Sequence, residues 1–171
     1  MDKAELARRI KEAAYLEGDF VLRSGRRSRY YLDKYLFEAQ PDILAELGRL
    51  FAARADEADL IAGAELGAVS LAAATSLASG KGFVIVRKAQ KGHATGKQIE
   101  GPDVAGRKVL LVEDVCTTGG AALAAAETLA AAGAKVDRIV FALDRMEGGR
   151  QNVQAAGYRF EALLTKEDLQ I

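Results

Sequence analysis

The N-terminal part of the chain carries the patterns of one helix and one hairpin. Leu6 and Ile10 fall on one side of a predicted helix over 2–16. The segments GDFVLRSG (18–25) and SRYYLD (28–33) predict two short strands joined by a turn around Gly25-Arg26-Arg27. Because these elements differ in pattern from the rest of the chain, we expect them to form a small N-terminal hood.

Strands and helices alternate through the rest of the chain. The predicted helices cover 41–55, 67–79, 118–132 and a short segment from 149, and the predicted strands cover 58–64, 82–86, 108–114, 138–144 and 158–164. The strand segments are nearly all apolar, as expected when a parallel sheet is buried on both faces. The pattern predicts an α/β fold with a doubly wound, mostly parallel sheet. We expect a single domain over 1–171, with the hood and N-terminal helix in 1–40 and the α/β core in 41–165.

Composition and charge narrow the class of protein. The chain has 171 residues with 24 basic and 24 acidic side chains, and this balance argues against a general nucleic-acid binder. One cysteine permits no internal disulfide and suits a reducing compartment. The start of the chain lacks a signal-peptide pattern, and the longest apolar region, 60–78, is interrupted by Glu65 and glycines. We therefore expect a cytoplasmic protein without a membrane span.

Two adjacent carboxylates follow the third apolar strand of the core. Glu113 and Asp114 are expected at the strand end, and Thr117–Gly120 lead into the next helix. Ligands of open parallel sheets bind beyond the carboxyl ends of the strands, and a glycine-rich helix N-terminus favours a phosphate. Ionised carboxylates accept hydrogen bonds from neighbouring sugar hydroxyls and stabilise positive charge near an anomeric carbon. The pattern predicts a site for a phosphorylated sugar.

The same residues also have a purely structural interpretation. In it, the two acids simply end a strand and Thr118 caps a helix. Like-charge repulsion at the mouth of an apolar strand makes this interpretation weaker. The chain has no P-loop motif, and no strand leads into a G-x-G-x-x-G fingerprint. Cys116 is expected to be a packing residue, and a thiol activated by the helix N-terminus is the alternative.

A polar segment, 87–101, interrupts the alternation of strands and helices. Its glycines and its lack of apolar periodicity predict a mobile loop, which would exclude water when it closes. Arg87, Lys88, Lys91 and His93 lie within seven residues and would bind a pyrophosphate. A solvated charged loop explains the composition equally well.

Several segments resemble those of a known enzyme family. VLLVEDVCTTGGA (109–121) resembles the ribose-phosphate motif of the type I phosphoribosyltransferases. The Arg-Lys-x-x-Lys-x-His pattern, followed by Ile99-Glu100-Gly101, is similar to the catalytic loop of orotate phosphoribosyltransferases. GDFVLRSGRRSRYYLD and ALDRMEGG resemble further segments of that family, and the matches run in order from 18 to 149.

The resemblance implies the type I phosphoribosyltransferase fold and a specific reaction. The enzyme would transfer the phosphoribosyl group of 5-phospho-α-D-ribose 1-diphosphate (PRPP) to orotate, giving orotidine 5′-monophosphate and pyrophosphate in pyrimidine (UMP) biosynthesis. It also implies Mg²⁺, held through substrate and water rather than by side chains. A homodimer is implied as well, in which the loop 87–101 reaches the neighbouring active site.

Roles for individual residues follow from the same resemblance. Asp114 would support the cationic sugar, while Lys88, Lys91 and His93 would act on the departing pyrophosphate. The implied PRPP-binding set is Arg87, Lys88, Lys91, His93, Glu113, Asp114, Val115, Cys116, Thr117, Thr118, Gly119, Gly120 and Ala121. Thr117 and Arg145 would contact orotate, whose carboxylate suits a guanidinium. The alternative for Arg145 is an ion pair with Asp144 or Glu147.

The sequence departs from the family pattern at a few positions. Arg23 stands in place of a lysine, Arg29 in place of a frequent proline, Leu66 in place of a lysine found in some members, and Tyr31 with Leu32 in place of an aromatic pair. Two other functions stay open at this point. A regulator that binds PRPP and acts on nucleic acid would need a basic face or an added helix-turn-helix, and a purine phosphoribosyltransferase would differ only in its acceptor.

Overall fold

The order of elements follows the sequence pattern closely. The computed structural model describes residues 1–21, 27–88 and 97–171, which form six helices and eight strands. The helices are α1 (Lys3–Ala14), α2 (Lys34–Glu38), α3 (Pro41–Ala52), α4 (Ala68–Ser79), α5 (Gly120–Ala131) and α6 (Gly149–Ala155). The strands are β1 (Tyr15–Val21), β2 (Arg27–Leu32), β3 (Leu60–Ala64), β4 (Gly82–Val86), β5 (Ile99–Glu100), β6 (Lys108–Cys116), β7 (Lys135–Asp144) and β8 (Arg159–Thr165).

The main sheet is mostly parallel and is covered by helices on both faces. Within the described ranges it has six strands in the order β5-β4-β3-β6-β7-β8, and β5 alone runs antiparallel to its neighbour. Leu110 and Val112 of β6 join the core on the side of α1 and α3, whereas Val109 and Leu111 join the core on the side of α5 and α6. Successive side chains of a strand point to opposite faces, so an all-apolar strand serves both cores. The predicted doubly wound α/β fold is confirmed.

The N-terminal elements divide between the core and a separate hairpin. Strands β1 and β2 pair antiparallel as a two-stranded sheet of their own. Helix α1 instead packs into the core through Leu6 and Ile10, which are fully buried. Its start carries the expected cap, because the Glu5 N–H donates to Asp2 Oδ1 at 2.8 Å. None of the helices in the described parts of the chain is long and apolar enough to cross a membrane.

Several boundaries differ from the sequence-based expectation. Strand β1 already begins at Tyr15, where the predicted first helix should still continue, and most of the predicted turn at 25–27 lies outside the described residues. Helix α2 and strand β5 were not predicted. Both are too short to show a periodic pattern, with five and two residues respectively. Strand β7 starts at Lys135, three residues before the predicted start at 138.

Candidate active site

Strand β6 does not end at Glu113 and Asp114 as expected. The strand continues to Cys116, because its pairing with β7 extends through Val115 opposite Leu143 and Cys116 opposite Asp144. The two acids are therefore held inside the strand and are only 6% and 4% exposed. Both nevertheless line a cavity of about 340 Å³ near the carboxyl ends of β3, β4 and β6. The backbone of the sheet thus fixes both carboxylates at the predicted place.

The two carboxylates have different electrostatic surroundings. Asp114 Oδ2 accepts a hydrogen bond from Lys34 Nζ at 2.5 Å, and Oδ1 accepts from the Val115 N–H. Glu113 Oε1 is buried without a hydrogen-bond partner among the described residues. Burial, followed by repulsion from Asp114, raises the pKa of Glu113 to about 8. This differs from the expected pair of ionised acids, since Glu113 is mostly protonated at neutral pH.

The turn after β6 has the geometry of an anion cradle. Helix α5 begins at Gly120 rather than at Thr118, and Gly119 before it has φ +80°, a conformation that favours glycine. No side chain caps this helix, so the structural interpretation of Thr118 as its cap is wrong. The Asn152 Nδ2 group donates to the Thr118 carbonyl at 2.9 Å and fixes the turn. Thr118 and Gly120 are exposed, and the uncapped helix N-terminus suits a phosphate.

Cys116 is a buried packing residue. Its Sγ fills the space beside Gly149, where an added Cβ would lie only 2.2 Å from the sulfur. Burial, followed by the negative charge of Asp144, raises the pKa of the Cys116 thiol to about 12. The thiolate that a reactive cysteine needs is therefore absent at neutral pH. The interpretation of Cys116 as an activated thiol is wrong, and its part in the motif is limited to backbone and packing.

The beginning of the polar segment meets the two acids across the same cavity. Its lining residues are Lys34, Tyr35, Ala64, Glu65, Leu66, Gly67, Val86, Arg87, Lys88, Gln98, Glu113, Asp114, Val115, Ala121, Ala124, Ala125 and Thr128. The Lys88 N–H donates to Glu65 Oε1 at 2.6 Å, and the Arg87 N–H donates to the Gln98 carbonyl at 2.8 Å. Arg87 and Lys88 are thus placed as predicted, whereas Lys91 and His93 lie outside the described residues.

Arg145 lies beside Thr117 but outside that cavity. Its N–H donates to the Cys116 carbonyl at 2.9 Å, which ties the end of β7 to the start of the turn. The guanidinium lies over the ring of Tyr30, 5.7 Å from its centre, and forms an ion pair with Glu147 at 3.0 Å. The alternative partner Glu147 is therefore present, and Asp144 instead accepts from the Met146 N–H. Tyr30, from the hairpin, was not predicted to lie here.

The loop between β3 and α4 packs directly against the acids. The peptide bond between Glu65 and Leu66 is cis, and the Leu66 side chain is exposed. A Cβ added at Gly67 would lie 1.9 Å from Asp114 Oδ2 and 2.8 Å from Lys34 Nζ. Gly67 has ordinary helical angles of φ −59° and ψ −45°, so its backbone conformation does not call for glycine. Glycine is required here because a side chain would have no space. The segment GAELG (63–67) therefore forms one wall of the site.

Two site residues were missed from the sequence, Lys34 and Glu38. Both belong to helix α2, and Glu38 is only 5% exposed. Burial, followed by repulsion from Asp114, raises the pKa of Glu38 to about 8. The one local signal for this helix is Asp33, whose side chain accepts from the Tyr35 N–H as an N-cap. The sequence around Lys34 contains no signal of its contact with Asp114, which lies eighty positions later in the chain.

The described residues contain no group of three or more His, Cys, Asp or Glu side chains arranged to hold a metal ion. A larger cavity, about 610 Å³, lies at the amino-terminal ends of β6, β7 and β8 and is lined by Lys108, Lys135 and Arg159 among others. It contains none of the motif residues. Of the predicted site residues, Arg87, Lys88, Glu113, Asp114, Val115 and Ala121 line the smaller cavity.

Comparisons with known proteins point to one family. The model described as "Phosphoribosyl transferase domain" matches residues 37–156. An orotate phosphoribosyltransferase of Natronomonas pharaonis is 44% identical over 170 residues, which cover 99% of this chain and 98% of that relative. One from Nocardioides sp. is 45% identical over 167 residues, covering 97% and 93%. The crystal structure of Mycobacterium tuberculosis orotate phosphoribosyltransferase in complex with PRPP superposes with a TM-score of 0.85, 31% identity and full coverage of both chains.

Proposed function

Because this chain belongs to the orotate phosphoribosyltransferases, which join orotate to the phosphoribosyl group of PRPP, we propose that its two substrates meet at the end of β6. PRPP would place its ribose hydroxyls on Glu113 and Asp114 and its 5′-phosphate on Thr117–Gly120. The observation that carries this proposal is the juxtaposition of two buried carboxyls with an uncapped helix N-terminus on consecutive residues of one strand and turn.

Orotate would bind on the other side of the turn, against Thr117 and Arg145. A guanidinium is a planar donor fork that matches a carboxylate, and Tyr30 already stacks on it. Glu147 forms an ion pair with this guanidinium, and the orotate carboxylate would replace it. This arrangement brings the orotate ring nitrogen toward the ribose carbon that carries the pyrophosphate.

The chain's own residues would then stabilise separated charges. As the bond from the ribose carbon to pyrophosphate breaks, the sugar becomes cationic, and the Asp114 carboxylate lies where it stabilises that charge. Arg87 and Lys88 line the same cavity and would neutralise the departing pyrophosphate together with Lys91 and His93. The orotate ring nitrogen bonds to the ribose carbon and loses its proton, giving orotidine 5′-monophosphate.

Magnesium would be held by the substrate rather than by the protein. The described residues offer no preformed ligand cluster, while Glu113 and Asp114 line the cavity. This donor set fits an ion whose ligands are pyrophosphate, ribose and water oxygens. When bound, Mg²⁺ supplies positive charge to the pyrophosphate.

We further propose that the enzyme is cytoplasmic, that residues 1–171 form one domain, and that it has no nucleic-acid or membrane partner.

A direct assay tests the reaction. Purified protein is mixed with Mg²⁺, PRPP and orotate, and the loss of orotate absorbance is followed, with uracil, hypoxanthine and adenine in parallel. We expect turnover of orotate alone, and an Asp114→Asn variant should lose most of it. Conversion of a purine but not of orotate would contradict the acceptor assignment and leave the fold intact.

We also propose a homodimer in which the loop 87–101 completes the neighbouring site. Complementation tests this arrangement, using Lys91→Ala mixed with Asp114→Asn after dissociation and reassociation. If each site takes its loop from the other copy, the mixed dimer has one intact site and the mixture regains roughly a quarter of wild-type activity. If the loop serves its own copy, the mixture stays inactive.

A further inference from the structure

We propose that Lys34 is a positioning residue for the transfer reaction, which holds the Asp114 carboxylate in place at the cavity. It acts within a buried cluster of three acids, Asp114, Glu113 and Glu38, of which Asp114 is the one in contact with it. The inference rests on the role proposed above for Asp114. It assigns a function in the chemistry to helix α2, a segment outside every motif that the sequence revealed.

The contact is short and mostly buried. Lys34 Nζ lies 2.5 Å from Asp114 Oδ2, with the lysine side chain 33% exposed and the aspartate side chain 5% exposed. Helix α2 places the lysine at its first turn, directly after the Asp33 cap. Gly67 leaves the space that the pair occupies, since a Cβ there would overlap both partners. Three separate segments of the chain therefore converge on this ion pair.

The two neighbouring acids show what happens to a carboxyl here without a cation in contact. Glu38 and Glu113 each have a buried Oε1 with no hydrogen-bond partner in the described part of the chain. Burial and repulsion from Asp114 raise the pKa of each to about 8. Asp114 differs from them by its contact with Lys34. An opposite charge within hydrogen-bond distance favours the ionised form of a carboxyl.

The lysine itself is suited to stay charged. Burial lowers its pKa, but the hydrogen bond and the charge of Asp114 outweigh that effect, so the pKa of Lys34 is raised overall. The ring of Tyr35 also lies 5.4 Å from its Nζ. Other charged groups near the cluster are Asp33 before the helix, Glu65 in the adjoining loop, and Arg87 and Lys88 across the cavity.

The ion pair is compatible with a bound sugar. Each carboxylate oxygen has two acceptor positions, so Lys34 and a ribose hydroxyl can both donate to Asp114. Lys34 therefore need not leave when PRPP binds. It would hold the carboxylate in place through the step in which the sugar becomes cationic.

The test is kcat and KM for PRPP, measured for Lys34→Met and Lys34→Arg. We expect Lys34→Met to lose about tenfold or more in kcat, because the Asp114 carboxylate is no longer held by the lysine and a misplacement of about 1 Å in a catalytic group can cost about 100-fold in rate. Lys34→Arg keeps a cation on Asp114 and should retain most of the wild-type kcat.

Lys3→Met is the matched control, because it removes a lysine–carboxylate pair, Lys3 Nζ to Asp168 Oδ1 at 2.8 Å, on the exterior of α1. Its kcat and KM should equal those of wild type. If Lys34→Met does not fold, Lys34→Gln provides the same loss of charge. A wild-type kcat in the neutral variant, or an equal loss in Lys34→Met and Lys34→Arg, would overturn the inference. Wild-type protein that turns over no orotate at any pH would instead contradict the proposed function.

Discussion

Replacing Gly67 by alanine puts a methyl group where the Asp114 carboxylate now lies. The added Cβ would be 1.9 Å from Oδ2 and 3.1 Å from Cγ of Asp114, whereas ordinary contacts begin at 3.4 Å. The backbone angles of Gly67 suit alanine, so the effect is steric only. The carboxylate must therefore move by about 1.5 Å, and a misplacement of about 1 Å in a catalytic group can cost about 100-fold in rate.

We expect Gly67→Ala to lower kcat/KM for PRPP by about 100-fold, with a stability loss of about 1–3 kcal/mol from overpacking. The assay is initial-rate kinetics by orotate absorbance, together with urea unfolding to separate activity from folding. Gly82→Ala, at the start of β4, is the matched control, since its Cβ would meet the Leu60 side chain at 3.2 Å and Pro102 Cγ at 3.9 Å. A folded Gly67→Ala enzyme within threefold of wild type would refute the geometry described for Asp114.

Three further predictions concern stability, the phosphate cradle and the thiol. The raised pKa of Glu38 stabilises the fold at acidic pH, and this contribution is lost as the pH rises from about 4.5 through 8, so Glu38→Gln should gain stability relative to wild type between pH 6 and 9. Urea unfolding measures this, and a pH-independent difference would contradict it. Gly119→Ala must adopt φ +80° at a cost of about 1–2 kcal/mol and should raise KM for PRPP more than KM for orotate; an equal rise in both would count against the cradle. The buried Cys116 thiol should resist iodoacetamide at pH 8 until the protein unfolds, and rapid labelling of folded protein would contradict its burial.

The core strands could be predicted from the sequence because their residue pattern is simple. A parallel strand buried on both faces is a continuous apolar run, as in β3 and β6, and helices between such runs are amphipathic or alanine-rich. The motif at the end of β6 was also readable, since a glycine-rich turn between a strand and a helix has a specific physical use. These local signals were enough to predict a candidate site at the end of β6.

The other parts of the site depend on long-range contacts. Helix α2 is little more than one turn, so its residues show no period, and Lys34 contacts Asp114 across 80 positions of the chain. Tyr30 reaches Arg145 in the same way. A single sequence identifies which residues can carry charge, but it does not show which of them share a pocket.

The two acidic residues inside β6 illustrate a second limit of prediction from sequence. Glu113 and Asp114 suggested a strand end because ionised side chains are costly to bury. The structure buries both, and it reduces the cost by pairing Asp114 with Lys34 and by favouring the protonated form of Glu113. Protonation depends on the surroundings in the folded protein, so the sequence could not indicate where the strand ends.

A crystal structure with PRPP and Mg²⁺ bound tests most directly the claim that the end of β6 holds the donor. We expect the ribose hydroxyls within hydrogen-bond distance of Glu113 and Asp114, with Lys34 still on Asp114, and the 5′-phosphate on the backbone of Thr117–Gly120. A donor bound elsewhere, with this cavity empty or filled by side chains, would contradict that claim.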